Sequence, residues 1–341
     1  MRIAVDVMGA DRGPAEIVAG GVAALKKFAD INVLLAGDQA AIDAALAGHR
    51  LSSDVRRRLE VRHASQVVEM SEKIDSIRKK PDSSLVRAME AVRDGHADAV
   101  VAVGNTAATV AVSWITLGRL EGVPRPGIAV PIPTMSGGLP CVVVDMGANT
   151  RPQPKHLAVY GLMASRYSEC IFGAKNPAVG LLNVGEEQGK GNDFLRESYE
   201  LLSKQPINFV GNVEGNDIFK GEVQVVVCDG FVGNAVLKAI EGSASLLMTV
   251  LRQELTKGPF VKFGAALCRK AFRSMRARLD YAAYGGAPLL GVKGVCIIGH
   301  GRSNAGAVSN AIRVARESVA SNLNEVIVES LSSPRSPAPV T

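Results

Sequence analysis

"VVVCDGFVGNAVLKAIEG", residues 225–242, compresses a folding unit into eighteen positions. Three valines and Cys228 make an apolar, β-branched run of strand length, expected over 223–228. Asp229, Gly230, Gly233 and Asn234 supply turn chemistry, and a helix-length amphipathic stretch follows, expected over 233–257. Strand, glycine turn and helix in that order form the unit of a parallel sheet with crossover helices.

The unit recurs along the chain. Further strands are expected at 2–7, 32–36, 98–103, 128–132, 141–145, 178–183, 207–211 and 294–298, with helices near 14–28, 83–94, 107–118, 153–170, 193–203, 265–279 and 305–320. Residues 1–330 therefore read as a single large α/β unit, and the Pro/Ser-rich end, 331–341, as a disordered tail.

Strands finish in a common way: "AVGNT" at 102–106, "DMGAN" at 145–149, "NVGEEQGKGN" at 183–192, "CDGFVGN" at 228–234 and "GHGRSN" at 299–304. In a parallel sheet such loops gather at the carboxyl edge, where ligands bind and helix N-termini present free N–H groups to anions. Asn105, Thr106 and Asn149 are thus candidate substrate-binding residues, as are Gly185, Gly189 and Asn192. Asp229 and Gly233 join them, with His300, Arg302 and Ser303 from the last loop. Any one loop alone is more simply read as capping a helix and turning the chain, and it is the five together that point to a shared polar cleft. A nucleotide phosphate loop needs four residues between its first glycine and its Gly-Lys. Only three separate Gly185 from Gly189, and Gly191 follows Lys190, so the loop suits a simpler anion.

With 47% apolar residues and 35 glycines, the composition fits a globular α/β protein. Aromatics at 4% argue against a base-stacking nucleic-acid surface. The five cysteines form no C-x-x-C pair, which points away from a metal ribbon or disulfide framework and toward a reducing cytosol. The opening "MRIAVDVMGAD" reads as a strand rather than a signal peptide, and no apolar run of spanning length follows. The net charge of +6 is concentrated: residues 245–280 hold eight basic residues against Glu254 and Asp280. That segment reads as part of a protruding helical hairpin, 241–280, broken at Gly258-Pro259. Its tip carries Phe260, Val261 and Phe263 and its flank Arg269, Arg273 and Arg276, a pattern suited to reversible contact with an anionic membrane. Burial of the helices in a dimer interface is the alternative.

"GLLNVGEEQGKGND" (180–193), "NFVGNVEGNDI" (208–218), the opening stretch above and "YGGAPLLGVKGVCIIGHGRSN" (284–304) resemble the bacterial phosphate acyltransferases of phospholipid synthesis, the PlsX type. "IAVDVMGAD" (3–11) and "DSSLVRAMEAVRDGHADAVVAVGNT" (82–106) extend the resemblance to roughly residues 1–320, with Ala10 and Ala107 standing where the family pattern has glycine. The resemblance implies a three-layer α/β/α fold with a mainly parallel sheet, similar to the isopropylmalate dehydrogenase and phosphotransacetylase group. It also implies transfer of a fatty acyl group from acyl carrier protein to inorganic phosphate, a homodimer, and peripheral membrane contact from the cytoplasm.

Such a reaction needs little acid or base, because phosphate is already anionic and a thiol of pKa about 8.5 leaves readily. It needs a cation for the phosphate and a donor for the oxyanion at the thioester carbon. Lys190 fits the first role and Asn234 the second, and the resemblance points to the same positions. No organic cofactor and no metal are expected. Glu187 either points outward or pairs with Lys190, and "RKKPDSS" (78–84) is either a solvated face or a contact for phosphate or carrier protein. Cys228 ends an apolar strand with no neighbouring His, so direct attack by phosphate is expected rather than an acyl-cysteine. A decarboxylating dehydrogenase on the same fold and a non-catalytic membrane scaffold remain as alternatives.

Overall fold

The computed structural model describes residues 1–72, 77, 79–272, 275 and 285–332. The strands are β1 (Arg2–Asp6), β2 (Asn32–Gly37), β3 (Leu59–His63), β4 (Ala99–Val103), β5 (Gly127–Ile132), β6 (Cys141–Val144), β7 (Ala178–Leu182), β8 (Asn208–Val213), β9 (Val225–Val227), β10 (Ala287–Leu290) and β11 (Val295–Gly299). Helices among the described residues are α1 (Pro14–Lys27), α2 (Gln39–Ala47), α3 (Ser53–Arg57), α4 (Ser84–Arg93), α5 (Thr106–Thr116), α6 (Pro154–Phe172), α7 (Asp193–Ser203), α8 (Asp217–Lys220), α9 (Gly230–Leu255), α10 (Gly258–Leu267), α11 (Ala305–Ala320) and α12 (Leu323–Ser332). One sheet runs in the order β3-β2-β1-β4-β11-β10-β5-β6-β9-β7-β8.

Alternation along each strand builds three layers, because successive side chains leave opposite faces of a sheet. On one face Ile3 and Val5 pack against α1 and α11, and Val225 and Val227 against α6 around the buried Tyr160 and Tyr167. On the other, Ala4 and Val100 meet α4 and α5, and Val143 and Val226 share a cluster with Val236, Leu237 and Ile240 of α9. This is the expected α/β/α arrangement.

All nine expected strands form. The two that were not expected have weak patterns: β3 is a half-exposed "LEVRH" at the sheet edge, and β10 is four residues including Pro288. β10 matters most. It is antiparallel to both β11 and β5, and β5 is antiparallel to β6. Three reversals leave β6, β9, β7 and β8 running opposite to β1, β2, β3, β4 and β11. The five glycine loops therefore do not share one carboxyl edge. Those after β4 and β11 lie at one edge, and those after β6, β7 and β9 at the other.

The hairpin breaks where expected: α9 ends at Leu255, Gly258 takes φ +78°, and Pro259 opens α10. Phe260, Val261 and Phe263 sit within α10 rather than in a turn, with Phe260 92% and Phe263 69% exposed. Arg269 is exposed, whereas Arg273 and Arg276 lie outside the described residues. The first two residues of the expected tail belong to α12 instead, which continues to Ser332, with Leu331 beside Gly122. Residues 333–341 lie outside the described residues.

Asp6, at the end of β1, is 4% exposed and accepts from the Met8 N–H at 3.3 Å. Burial pushes its pKa up to about 6, against hydrogen bonds from Ser84, Met8 and Gly9. A carboxyl with a raised folded pKa binds a proton more tightly folded than unfolded, so stability falls as pH rises from about 4 to about 6. Asp6→Asn should raise stability above pH 6 by roughly 2–4 kcal/mol and flatten that window. Urea unfolding at pH 4.5 and 7.5 checks this; an unchanged pH slope in the variant would remove Asp6 as its source.

Candidate active site

At the end of β6 the buried Asp145 carboxylate gathers the chain around it. Oδ1 accepts from the N–H groups of Ile128, Gly147 and Ala148 at 2.8–3.0 Å, and Oδ2 accepts from Asn149 N–H at 2.7 Å. Burial raises the Asp145 pKa, and these four donors oppose it. Asn149 is committed to the same framework: its amide donates to Pro126 O at 2.6 Å and to the Tyr160 hydroxyl at 2.8 Å. It is a structural residue rather than part of the open site.

α9 docks onto this loop. Its start comes three residues earlier than expected because Asp229 caps it, accepting from Phe231 and Val232 N–H at 2.9 and 3.0 Å. Gly233 then faces β6 so closely that a Cβ there would lie 1.9 Å from Asp145 O, which restricts the position to glycine. Asn234 follows one residue later beside Gly147. Asp229 and Gly233 thus position Asn234 through backbone fit, and neither lines the cavity it borders.

That cavity, about 280 Å³, lies where strand polarity changes. Asn234, Leu237, Lys238 and Glu241 form one wall at i, i+3, i+4 and i+7 spacing along α9. Ile128, Val130 and Met146 supply an apolar floor, and Thr106, His300 and Ser303 a facing wall from the ends of β4 and β11. His300 Nδ1 accepts from Arg302 N–H at 3.1 Å, which assigns the ring proton to Nε2. Ser303 N–H donates to His300 O at 2.8 Å and closes the turn. Arg302 is exposed and outside the cavity. Asn105 caps α5 through Ala108 N–H at 3.0 Å, and its Nδ2 donates to the carbonyls of Glu69, Met70 and Glu72. Its neighbour Thr106 lines the cavity.

Lys190 and its loop stand elsewhere, at the carboxyl end of β7, and none of Gly185, Gly189, Lys190 or Asn192 lines the cavity. Asn192 caps α7 through Leu195 N–H at 3.0 Å, while Gly189 and Gly191 turn the chain at φ +95° and +83°. A Cβ at Gly185 would meet Glu187 Oε2 at 2.8 Å. Glu187 pairs with Lys190 at 3.7 Å, and both side chains are more than half exposed. Such a pair is worth about 0–1 kcal/mol and yields readily to a stronger anion. The "RKKPDSS" cluster is tied internally: Lys80 Nζ bonds Val67 O at 2.6 Å and pairs with Glu72, Ser83 caps α4, and Arg78 lies outside the described residues. Lys238 and Glu241, which the sequence reading did not single out, announce themselves only by helical spacing from Asn234. They pair at 2.8 Å.

Cys228 is buried, and desolvation first, then the charges of Asp145 and Asp229, push its thiol well above the usual range. Its Sγ lies 3.5 Å from Asp145 O as donor. A thiol so held is no nucleophile at neutral pH. Cys228→Ala should keep acyl transfer within about threefold, and native Cys228 should resist iodoacetamide at pH 8, with denaturant exposing it. An acyl adduct on Cys228 trapped without phosphate would overturn this.

A family model described as "Fatty acid synthesis protein" matches residues 1–326. The chain is 46% identical over 333 residues to a phosphate acyltransferase of Desulfitobacterium hafniense, covering 97% of this chain and 98% of that one. It is 48% identical over 324 residues to a phosphate acyltransferase of Desulforudis audaxviator, covering 95% and 94%. Among solved structures it resembles a phosphotransacetylase from Streptococcus pyogenes, with TM-score 0.62 and 14% identity over 94% of each chain. The EutD phosphotransacetylase from Staphylococcus aureus follows at 0.59 and 13%, again over 94% of each. Identities that low show the shared fold alone. The near full-length match to the family model, together with relatives approaching half identity end to end, places this acyltransferase: the chain belongs to the bacterial phosphate acyltransferase family of the PlsX type.

Proposed function

We propose that the chain transfers a fatty acyl group from acyl carrier protein to inorganic phosphate, giving an acyl phosphate for phospholipid synthesis, and that it works as a homodimer at the cytoplasmic membrane surface. The observation that carries the reading is the cavity itself: an apolar floor of Ile128, Val130 and Met146, suited to acyl methylenes, beside the hydrogen-bonding Asn234. A phosphate oxygen attacks the thioester carbon, the C–S bond breaks, and the departing carrier thiolate takes the phosphate proton. Asn234 Nδ2 donates to the oxyanion formed on the way, and Lys190, released from its weak pair with Glu187, neutralises the phosphate. Thr106, Ser303 and His300 Nε2 add donors at the facing wall.

An acidic carrier protein finds a complementary surface at the edge where β6 ends. Trp114 is flanked by the guanidinium groups of Arg119 at 5.0 Å and Arg125 at 5.4 Å, a cation–π arrangement that holds both charges in place. Burial first, then Arg125 and Lys155, lowers the His156 pKa, which marks the positive field there.

Membrane contact is supported by the hairpin. α9 is long and apolar enough, by length and composition, to cross a bilayer. However, its turns through Glu241 wall the cavity, and the fourteen residues from Gly242 to Leu255 reach only about 21 Å against a hydrocarbon core of about 30 Å. Exposed Leu246, Leu247, Phe260, Phe263 and Leu267 instead suit shallow insertion.

Lys190→Ala and Asn234→Ala should each lower turnover by about 10²–10³ while leaving the fold intact. The assay is acyl phosphate formed from acyl carrier protein and phosphate without nucleotide; near-normal rates in both variants would sink the assignment. Arg119→Glu with Arg125→Glu should raise KM for the carrier substrate about tenfold at low salt with kcat unchanged, and the difference should shrink at high salt. A KM that does not move would place the carrier elsewhere.

A further inference from the structure

Two asparagine side chains hold the Lys190 loop by its backbone. Asn183, at the loop entrance, donates from Nδ2 to Lys190 O at 3.1 Å and accepts from Val184 N–H at 2.8 Å on Oδ1, so one amide closes the loop across its base. The fit is close, since a Cβ at Gly191 would lie 2.7 Å from Asn183 Oδ1. Asn212 comes from the neighbouring strand β8, opposite Leu181 of β7, and donates from Nδ2 to Glu187 O at 2.9 Å. Lys190 N–H donates to that same Glu187 carbonyl at 3.2 Å. The carbonyls at 187 and 190 are thus each pinned by an amide, while the Lys190 side chain stays half exposed.

Asn212 carries a second feature. It is only 7% exposed, and its Oδ1 is buried without a hydrogen-bond partner. The polar contact this buried side chain makes within the protein is thus the one from Nδ2 to the loop carbonyl of Glu187.

We propose that Asn183 and Asn212 are positioning residues for acyl transfer: acting through the loop backbone, without touching substrate, they set the place at which Lys190 meets the phosphate. This rests on Lys190 as the phosphate-binding cation. Loop geometry then governs the phosphate more than the acyl donor, because the cavity that suits the acyl chain is walled by other elements.

The test uses the full chain, acyl carrier protein and inorganic phosphate. Asn212→Leu, close in shape and lacking both polar atoms, should keep or raise the unfolding midpoint yet reduce kcat/KM for phosphate by about 10- to 100-fold. Asn183→Asp keeps the acceptor for Val184 N–H and loses the donor to Lys190 O; it should show the same phosphate-specific loss. KM for the acyl donor should change less than twofold in both. Adding Lys190→Ala should then cancel the effect, with each double variant no slower than Lys190→Ala alone. Wild-type kinetics in both asparagine variants, or losses that multiply with that of Lys190→Ala, would overturn the proposal. Near-normal activity of Lys190→Ala itself would instead overturn the reading of Lys190, and the positioning role with it.

Discussion

The Asp145 carboxylate is wholly buried and accepts from four backbone N–H groups drawn from two segments, Ile128 of β5 and the 147–149 turn. Burying a carboxylate costs several kcal/mol unless donors surround it, and here backbone supplies them. The consequences spread outward. The turn takes one shape, Asn149 is drawn in to bridge Pro126 and Tyr160, and the Asp145 carbonyl becomes the surface on which α9 sits at Gly233. The cavity inherits its geometry from that contact, since Asn234 is the next residue along.

The second constraint is the reversal at β10 and β5. Ligands in α/β sheets favour points where strand direction switches, because loops diverge there and leave a crevice. Here the crevice lies between the last strand of one block and the long helix of the other, so its walls come from segments far apart in sequence: Thr106 and Ser303 from the first block, Asn234 and Glu241 from α9. The same reversal places the Lys190 loop, at the carboxyl end of β7, on the edge away from His300.

Much of this was legible in sequence. Long β-branched runs gave the nine expected strands, and Gly258-Pro259 broke the hairpin as its chemistry requires. Asn234, singled out in sequence as a donor, lies on the cavity wall, and family membership decides for an acyltransferase over a dehydrogenase or an inert scaffold. Strand direction was not legible. β10 is four residues with a proline between glycines, too short to carry a periodic signal, yet it sets the polarity of half the sheet. Local chemistry was also ambiguous in the caps: Asn105, Asn192 and Asp229 carry the residue types of a binding loop and serve helix termini. Asn183 and Asn212 escaped notice because their partners are backbone carbonyls brought near only by folding.

α9 joins cavity and hairpin in one unbroken rod of 26 residues, about 39 Å long. Gly230 and Gly233 are its buried residues, and Val236, Leu237 and Ile240 pack on the core, so the rod is held over its first turns and stands clear beyond them. A cantilever of that kind moves by rotation about its clamp. Tilting it by about 5° would displace the far end by roughly 3 Å and Asn234, a few residues from the pivot, by well under 1 Å. A force on the exposed turns therefore acts with a long lever arm while the cavity wall at Asn234 stays almost still. Motion of the far turns is thus uncoupled from the end whose fit against Asp145 fixes its geometry.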